Sequence, residues 1–239
     1  MVQSKIDRTY PLDQANTPPM AGEFLVPCKH NDGMENTAAQ HDVYAAEYDN
    51  QVLAYDCHLT DVLFGLCYAF IQPGQRMLDA GIGSGLSAEL FARAGLKVSG
   101  MDFSPAMLEV CQAKGIAQEL KQHDLQQIPW PYPSGSFDHL VCCGVLHFLS
   151  DLETTFTEAS RILQENGSFA FTTRFSSSLE SHLQKYDCQT LDGFAIYSHS
   201  YNYIETLLEQ YAFERLKLQK SFVGNDLFNL WVVRKITGS

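Results

Sequence analysis

"MLDAGIGSG", residues 77–85, carries three glycines spaced two apart, Gly81, Gly83 and Gly85, behind a short apolar run that contains an acid, Asp79. A loop this bare lets a ligand lie directly against the backbone. Three ligand classes compete for it. A phosphate-binding P-loop needs Lys-Ser or Lys-Thr after its last glycine, and here Leu86-Ser87 follows, so that reading fails. The dinucleotide fingerprint G-x-G-x-x-G/A, counted from Gly81, puts Leu86 where the helix must pack tightly on the strand, and leucine is too large there. The third pattern, D/E-x-G-x-G-x-G, is matched at every place by Asp79, Gly81, Gly83 and Gly85. An acid at a strand end suits positive charge rather than phosphate.

Outward from this loop the chain alternates between strands and helices. "RMLDA" (76–80) reads as a strand and "LSAELFARAG" (86–95) as a helix stopped by Gly95. "KVSGMD" (97–102) is a second strand. "SPAMLEVCQAKG" (104–115) is a second helix, with Ser104 as N-cap, Pro105 in its first turn and Gly115 at its end. "QELKQHD" (118–124) is a weaker strand, and the prolines of "IPWPYPSGS" (128–136) exclude helix and central strand. "FDHLVCCGVL" (137–146) and "SFAFTTR" (168–174) are buried strands flanking the helix "LETTFTEASRIL" (152–163). Such alternation implies a parallel sheet with helices on both faces. Beyond it, Tyr203, Ile204, Leu207, Leu208 and Tyr211 line one helix face, and "FERLKLQ" and "DLFNLWVVRK" are close enough to pair antiparallel. Before it, Leu59, Val62, Leu63, Leu66 and Phe70 mark a helical stretch within 38–70, which "QPGQ" (72–75) ends.

The 239 residues are 45% hydrophobic, enough for one sizeable α/β domain, and the net charge is −12. That charge opposes nucleic acid and anionic membrane surfaces as partners. No apolar run reaches the length of a membrane span, and the first twenty residues lack the apolar core of a signal peptide. The seven cysteines have no C-x-x-C spacing, so no metal is expected, and most read as reduced thiols of a cytoplasmic protein. Cys142 and Cys143 are consecutive in a strand, so they point to opposite faces and make a poor chelate.

The glycine motif, together with the segments C-terminal to it, resembles the class I S-adenosylmethionine-dependent methyltransferases. Asp102 ends the second strand, Asp124-Leu125 ends the third, "IPWPYPSGSFDHLVCCGVLHFL" resembles the family's proline-rich loop, F-D-x-V strand and V-L-x-H end, and "ILQENGSFAF" its next helix, turn and strand. The likeness is firm over 76–172, and its look is that of the small-molecule, ubiquinone-biosynthesis-like group. The resemblance implies a Rossmann-like, seven-stranded, mostly parallel sheet with a C-terminal antiparallel strand pair. It implies S-adenosyl-L-methionine as cofactor, held at Asp79, Ala80, Gly81, Gly83 and Gly85 under the methionine end, with Cys143 beside it. Asp102 would take the ribose hydroxyls, Asp124 the adenine amino group, and Phe103, Met107 and Leu125 would sandwich adenine. Tyr44 and Tyr48, in "HDVYAAEYDN", resemble tyrosines that close over the methionine end. His147 and His199 are the candidate catalytic residues. His147 stands one place before the family's usual histidine, where this chain has Phe148.

The expected organisation is an irregular arm over 1–37 and a methyltransferase domain over 38–239, with a helical cap at 38–72 and a substrate-side insert at 175–199. The expected reaction is methyl transfer to a small molecule by a cytoplasmic monomer or homodimer, without nucleic acid or membrane as partner. A non-catalytic cofactor-binding domain and a protein or tRNA methyltransferase are the alternatives.

Overall fold

The computed structural model describes residues 45–176, 184–191 and 194–236. The expected arm (1–37), Tyr44 and part of the expected insert lie outside the described residues. Among the described residues, nine strands form one sheet in the order β3-β2-β1-β4-β5, with β9 and then β8 beyond β5. The strands are β1 (Arg76–Ala80), β2 (Lys97–Asp102), β3 (Glu119–Gln122), β4 (Phe137–Cys142), β5 (Leu163–Arg174), β6 (Tyr186–Leu191), β7 (Phe194–His199), β8 (Phe213–Val223) and β9 (Asp226–Lys235). The first five pair in parallel, while β9 runs antiparallel to both β5 and β8. This is the expected seven-stranded sheet with its reversed strand.

Two strands are additional. The region read as an insert contains the β6–β7 hairpin, which joins the sheet through a parallel pairing of Arg174 with Ser198. "FAIYSH" lacks the alternation of apolar and polar residues that marks a half-buried strand, and it stands close to a helix start at Ser200. The aromatic content of the segment suits a pocket wall as well as a ladder.

The helices are α1 (Tyr48–Ala54), α2 (Leu59–Cys67), α3 (Leu86–Arg93), α4 (Pro105–Lys114), α5 (Glu153–Ile162) and α6 (Tyr201–Gln210). The cap expected as one helical stretch is broken between α1 and α2, where Asp56 takes a φ of +54°. Elsewhere local chemistry sets the ends. The Ser104 hydroxyl caps α4 by accepting from Met107 N at 3.1 Å, and Gly115 closes it at φ +65°. Ser200 caps α6 in the same way through Tyr203 N.

Strand periodicity divides the core between the two faces of the sheet. Leu140, Phe169, Phe171, Trp231 and Val233 pack on one face with α5 and α6. Val141, Ala170, Leu230 and Val232 pack on the other with α2, α3 and α4. Cys142 and Cys143 separate onto these faces as a strand requires. Cys57, Cys67, Cys111, Cys142 and Cys143 are free thiols. Cys188, by contrast, is disulfide-bonded. No described helix is long and apolar enough to cross a membrane.

The chain leaves β1 toward β2 on one side, and β4 flanks β1 on the other. A crevice opens at such a switch point, beyond the carboxyl ends of the strands, and open α/β sheets bind ligands there.

Candidate active site

A cavity of about 290 Å³ fills this crevice. Its floor is the glycine loop. Gly81 at φ +81° and Gly83 at φ +52° adopt backbone that favours glycine, and a Cβ on Gly81 would stand 2.5 Å from Val145 Cγ2. Ile82 folds back over β2, where a Cβ on Gly100 would stand 2.4 Å from Ile82 Cδ1. Gly100, an isolated glycine inside a strand, is a readable sign of such a close approach.

Asp102 joins the two strand ends. Its Oδ2 accepts from Gly83 N at 2.8 Å and its Oδ1 from Ser104 N at 2.9 Å, so one carboxylate ties the loop after β1 to the start of α4. Phe103 and Met107 line the cavity beside it. Asp124 and Leu125, after β3, complete that wall. The Asp124 side chain also holds its own turn by accepting from Gln126 N at 2.9 Å. Trp130 supports Leu125 from below, donating its indole N–H to the Leu125 carbonyl at 3.1 Å.

Asp79 lies under this floor, fully buried, and is not itself on the cavity wall. Its Oδ2 accepts from Ser87 Oγ, while its Oδ1 is buried with no hydrogen-bond partner. Burial pushes its pKa up to about 7, the Ser87 hydrogen bond opposing and the nearby Asp102 charge adding to the rise. Ala80 is buried on β1, and Gly85 turns into α3 at φ +91° against Cys111; neither reaches the cavity wall.

Tyr48, Cys143 and His147 do reach it. Burial raises the pKa of the Tyr48 hydroxyl, with Cys143 the next cause. It raises that of the Cys143 thiol too, with Asp79 next. The His147 ring packs 4.1 Å from Phe148 and 5.5 Å from Phe228, centre to centre. His199 does not line the cavity: it is buried behind Leu149 and Ser150, against Tyr186 and Tyr203. Burial lowers its pKa to about 4 against the opposing pull of the Ser150 and Leu149 backbone. His199, expected as a candidate catalytic residue, therefore lies off the cavity wall while His147 is on it, because the β6–β7 hairpin carries His199 into a separate packing layer.

Four residues of the site escape sequence reading. Asp49 on α1 accepts from Ser84 Oγ and pairs with Lys114, fastening the cap to the glycine loop and to α4. Val145 sits over Gly81, and Val223 and Phe228 come from the C-terminal hairpin. Only Asp49 leaves a signal, through its place directly after Tyr48. The others are ordinary apolar residues of strand and loop.

The acids Asp102 and Asp124 line the cavity with Asp79 beneath, and no lysine or arginine is among the described residues that line it. Such a site favours a cationic or neutral ligand over a polyphosphate.

Comparison with known proteins agrees with this geometry. Residues 78–171 match the family described as "Methyltransferase domain". The chain is 30% identical over 109 residues to the malonyl-[acyl-carrier protein] O-methyltransferase of Serratia marcescens, covering 46% of this chain and 42% of that protein. It is 31% identical over 102 residues to the demethylmenaquinone methyltransferase of Tropheryma whipplei, covering 41% of each. The chain thus spans less than half the length of these relatives. In fold it is similar to the 1,6-didemethyltoxoflavin-N1-methyltransferase of Burkholderia thailandensis, whose structure holds 1,6-didemethyltoxoflavin and S-adenosylhomocysteine. The TM-score there is 0.68 at 16% identity, over 89% of this chain and 94% of that one. Residues 78–171 thus match a methyltransferase domain, and the fold is similar to that of the class I S-adenosylmethionine-dependent methyltransferases. S-adenosylmethionine is the cofactor of that class.

Proposed function

We propose that this protein transfers a methyl group from S-adenosylmethionine to a small-molecule acceptor in the cavity above β1 and β4. One observation carries the reading. A glycine floor that cannot bear a Cβ at Gly81 lies between a buried, unpartnered carboxylate oxygen of Asp79 and the cavity-lining carboxylate of Asp102. The donor set fits a sulfonium nucleoside, which carries cationic groups at one end and a ribose diol toward the other.

The cofactor supplies, when bound, a methyl group activated by the sulfonium. The remaining work belongs to the chain. Asp79 sets a negative potential under the methionine end, with Cys143 and Tyr48 walling it. Asp102 presents its carboxylate to the ribose hydroxyls while Gly83 and Ser104 fix its orientation. Phe103, Met107 and Leu125 hold the adenine, with Asp124 at its amino edge. Alignment and exclusion of water account for most of the protein's contribution. Where the acceptor atom carries a proton, His147 is placed to take it. The cap over α1 and α2 lines the cavity and shapes the acceptor, within a domain that begins near residue 38. Relatives named for a carrier-bound malonyl group, a quinone precursor and a small heterocycle support a small-molecule acceptor.

Calorimetry with S-adenosylhomocysteine, followed by radiolabelled methyl transfer into a metabolite extract, tests this. Wild-type protein binds and labels low-molecular-weight material, and Gly81→Val does neither. Wild type that fails to bind S-adenosylhomocysteine, or a Gly81→Val protein that binds it as well as wild type, overturns the reading.

A further inference from the structure

Sheet order gives the cavity two ends. β2 and β3 lie on one side of β1, whereas β4, β5, β9 and β8 lie on the other. Asp102, Phe103, Asp124 and Leu125 therefore belong to one end, and His147, Phe148, Val223 and Phe228 to the other. The second end is made of rings and branched carbons. The His147 ring meets Phe228 nearly edge-on, at 80°, and lies tilted on Phe148. Edge-to-face and offset geometries of this kind accept a further ring readily, because ring edges and faces carry opposite partial charge.

The charges around this end do not reach it. Arg174, opposite Phe228 in the β5–β9 ladder, is committed to Asp226 at 2.7 Å and Gln189 at 3.1 Å. Lys220 sits over the Phe175 ring at 4.0 Å. Neither lines the cavity. The nearby thiols of Cys57 and Cys143 are kept protonated chiefly by burial. An anionic acceptor would be desolvated here with no lysine or arginine among the described residues of the cavity wall and with the acids Asp79 and Asp102 nearby, an arrangement that is costly. A neutral ring would gain dispersion and edge-to-face contacts with Phe148 and Phe228.

Resting on the methyltransferase reading above, we infer that the end of the cavity formed by His147, Phe148, Val223 and Phe228 is the acceptor subsite and takes an uncharged aromatic ring, not a carboxylate. Carboxylate O-methylation is thereby excluded for this chain, and hydroxyl, ring-nitrogen or thiol acceptors on an aromatic frame are selected.

The test uses two probes that differ in one group, 4-ethylphenol and 4-ethylbenzoate at pH 7.5, titrated calorimetrically into protein loaded with S-adenosylhomocysteine. The phenol is expected to bind at least about tenfold more tightly, the scale of one uncompensated interaction. Val223→Arg, which brings a cation to this end from the tip of β8, is expected to narrow or reverse that preference. Equal or tighter binding of the benzoate by wild type overturns the inference, and so does binding of neither probe by the loaded protein. A wild-type protein that fails to load with S-adenosylhomocysteine at all overturns the methyltransferase reading itself.

Discussion

Asp49 of α1 accepts a hydrogen bond from Ser84 of the glycine loop at 2.5 Å, and its other carboxylate oxygen is ion-paired with Lys114 at the end of α4. One side chain thus fastens the cap to the glycine loop and to α4, and its neighbour Tyr48 lines the cavity. The Asp49–Lys114 pair is about one-third exposed on each side, so its share of global stability is small, below about 1 kcal/mol. Its effect falls on the ligand. Asp49→Ala is expected to weaken S-adenosylhomocysteine binding about tenfold while lowering the denaturation midpoint little, because binding must then order α1 again. Lys114→Met, which keeps the bond to Ser84, should have a smaller effect. Calorimetry and urea unfolding on the same preparations separate the two quantities, and equal affinity for Asp49→Ala and wild type contradicts the latch.

Asp79 makes the ligand-free protein sensitive to pH. Its folded pKa of about 7 lies above the ordinary value of 3.8, mainly because of burial. The folded state therefore holds a proton that the unfolded chain has already released. Stability from this group is fully present below pH ~4 and is lost as pH rises through about 7. Asp79→Asn removes the dependence. Urea unfolding of both proteins at pH 5, 6 and 8 is expected to show Asp79→Asn gaining on wild type as pH rises. In the presence of a cationic ligand the order reverses, since the ligand favours the ionised carboxylate. A constant difference between the two proteins across this range would show that Asp79 is ionised throughout.

Gly81 and Val145 set a steric limit on the cavity floor. An alanine at 81 brings Cβ to 2.5 Å from Val145 Cγ2 at a φ of +81°. Gly81→Ala is expected to cost about 2–4 kcal/mol, from left-handed backbone strain and overpacking together. Gly83→Ala, where no atom lies within 4 Å of the added carbon, should cost only the strain, about 1 kcal/mol. Val145→Ala in the Gly81→Ala background removes the clashing methyls and should recover about 1–2 kcal/mol. Chemical denaturation of wild type, Gly81→Ala, Val145→Ala and the double variant closes the cycle. Additive effects of the two substitutions would place Val145 away from the loop.

Sequence reading reaches the parts of this fold that local chemistry writes. β1 and β2 fall on the segments read as strands, and Ser104, Pro105 and Gly115 bound α4 through capping and backbone freedom. The β6–β7 hairpin is not legible because its pairing with β5 is a single long-range register, Arg174 to Ser198, which no local pattern encodes. For the same reason His199, with a suitable side chain near a helix start, reads as a pocket residue and is a packing residue. Gly81 announces itself by type, whereas Val145 and Phe228, which limit the same cavity, are apolar residues indistinguishable in sequence from core. The acids divide similarly: Asp79 and Asp102 mark strand ends, but the bonds from Asp49 to Ser84 and Lys114 exist only once α1 is docked.

Glu158 ties the proline-rich loop to the body of the domain. Its carboxylate is almost fully buried on α5, accepts from Trp130 N at 2.6 Å and is bound by the Arg161 guanidinium, which also donates to the Trp130 and Tyr132 carbonyls at 3.1 and 2.8 Å. Burial alone would raise the Glu158 pKa, but the bonds from Arg161 and the Trp130 N–H outweigh it and lower the value. Stability from this group is therefore present above its ordinary pKa of 4.5 and is lost as pH falls below it. Glu158→Ala leaves a partly buried guanidinium and a backbone N–H unmatched and should cost about 2–4 kcal/mol at neutral pH. Because Trp130 supports Leu125, the Leu125 wall of the cavity should loosen with it, and S-adenosylhomocysteine affinity should fall in the same variant. Arg161→Met at the same site is expected to cost as much, and the double variant less than the sum of the two. Unfolding midpoints for the three proteins at pH 7 and pH 4.5 check this, and full additivity at pH 7 would mean that the two side chains act independently.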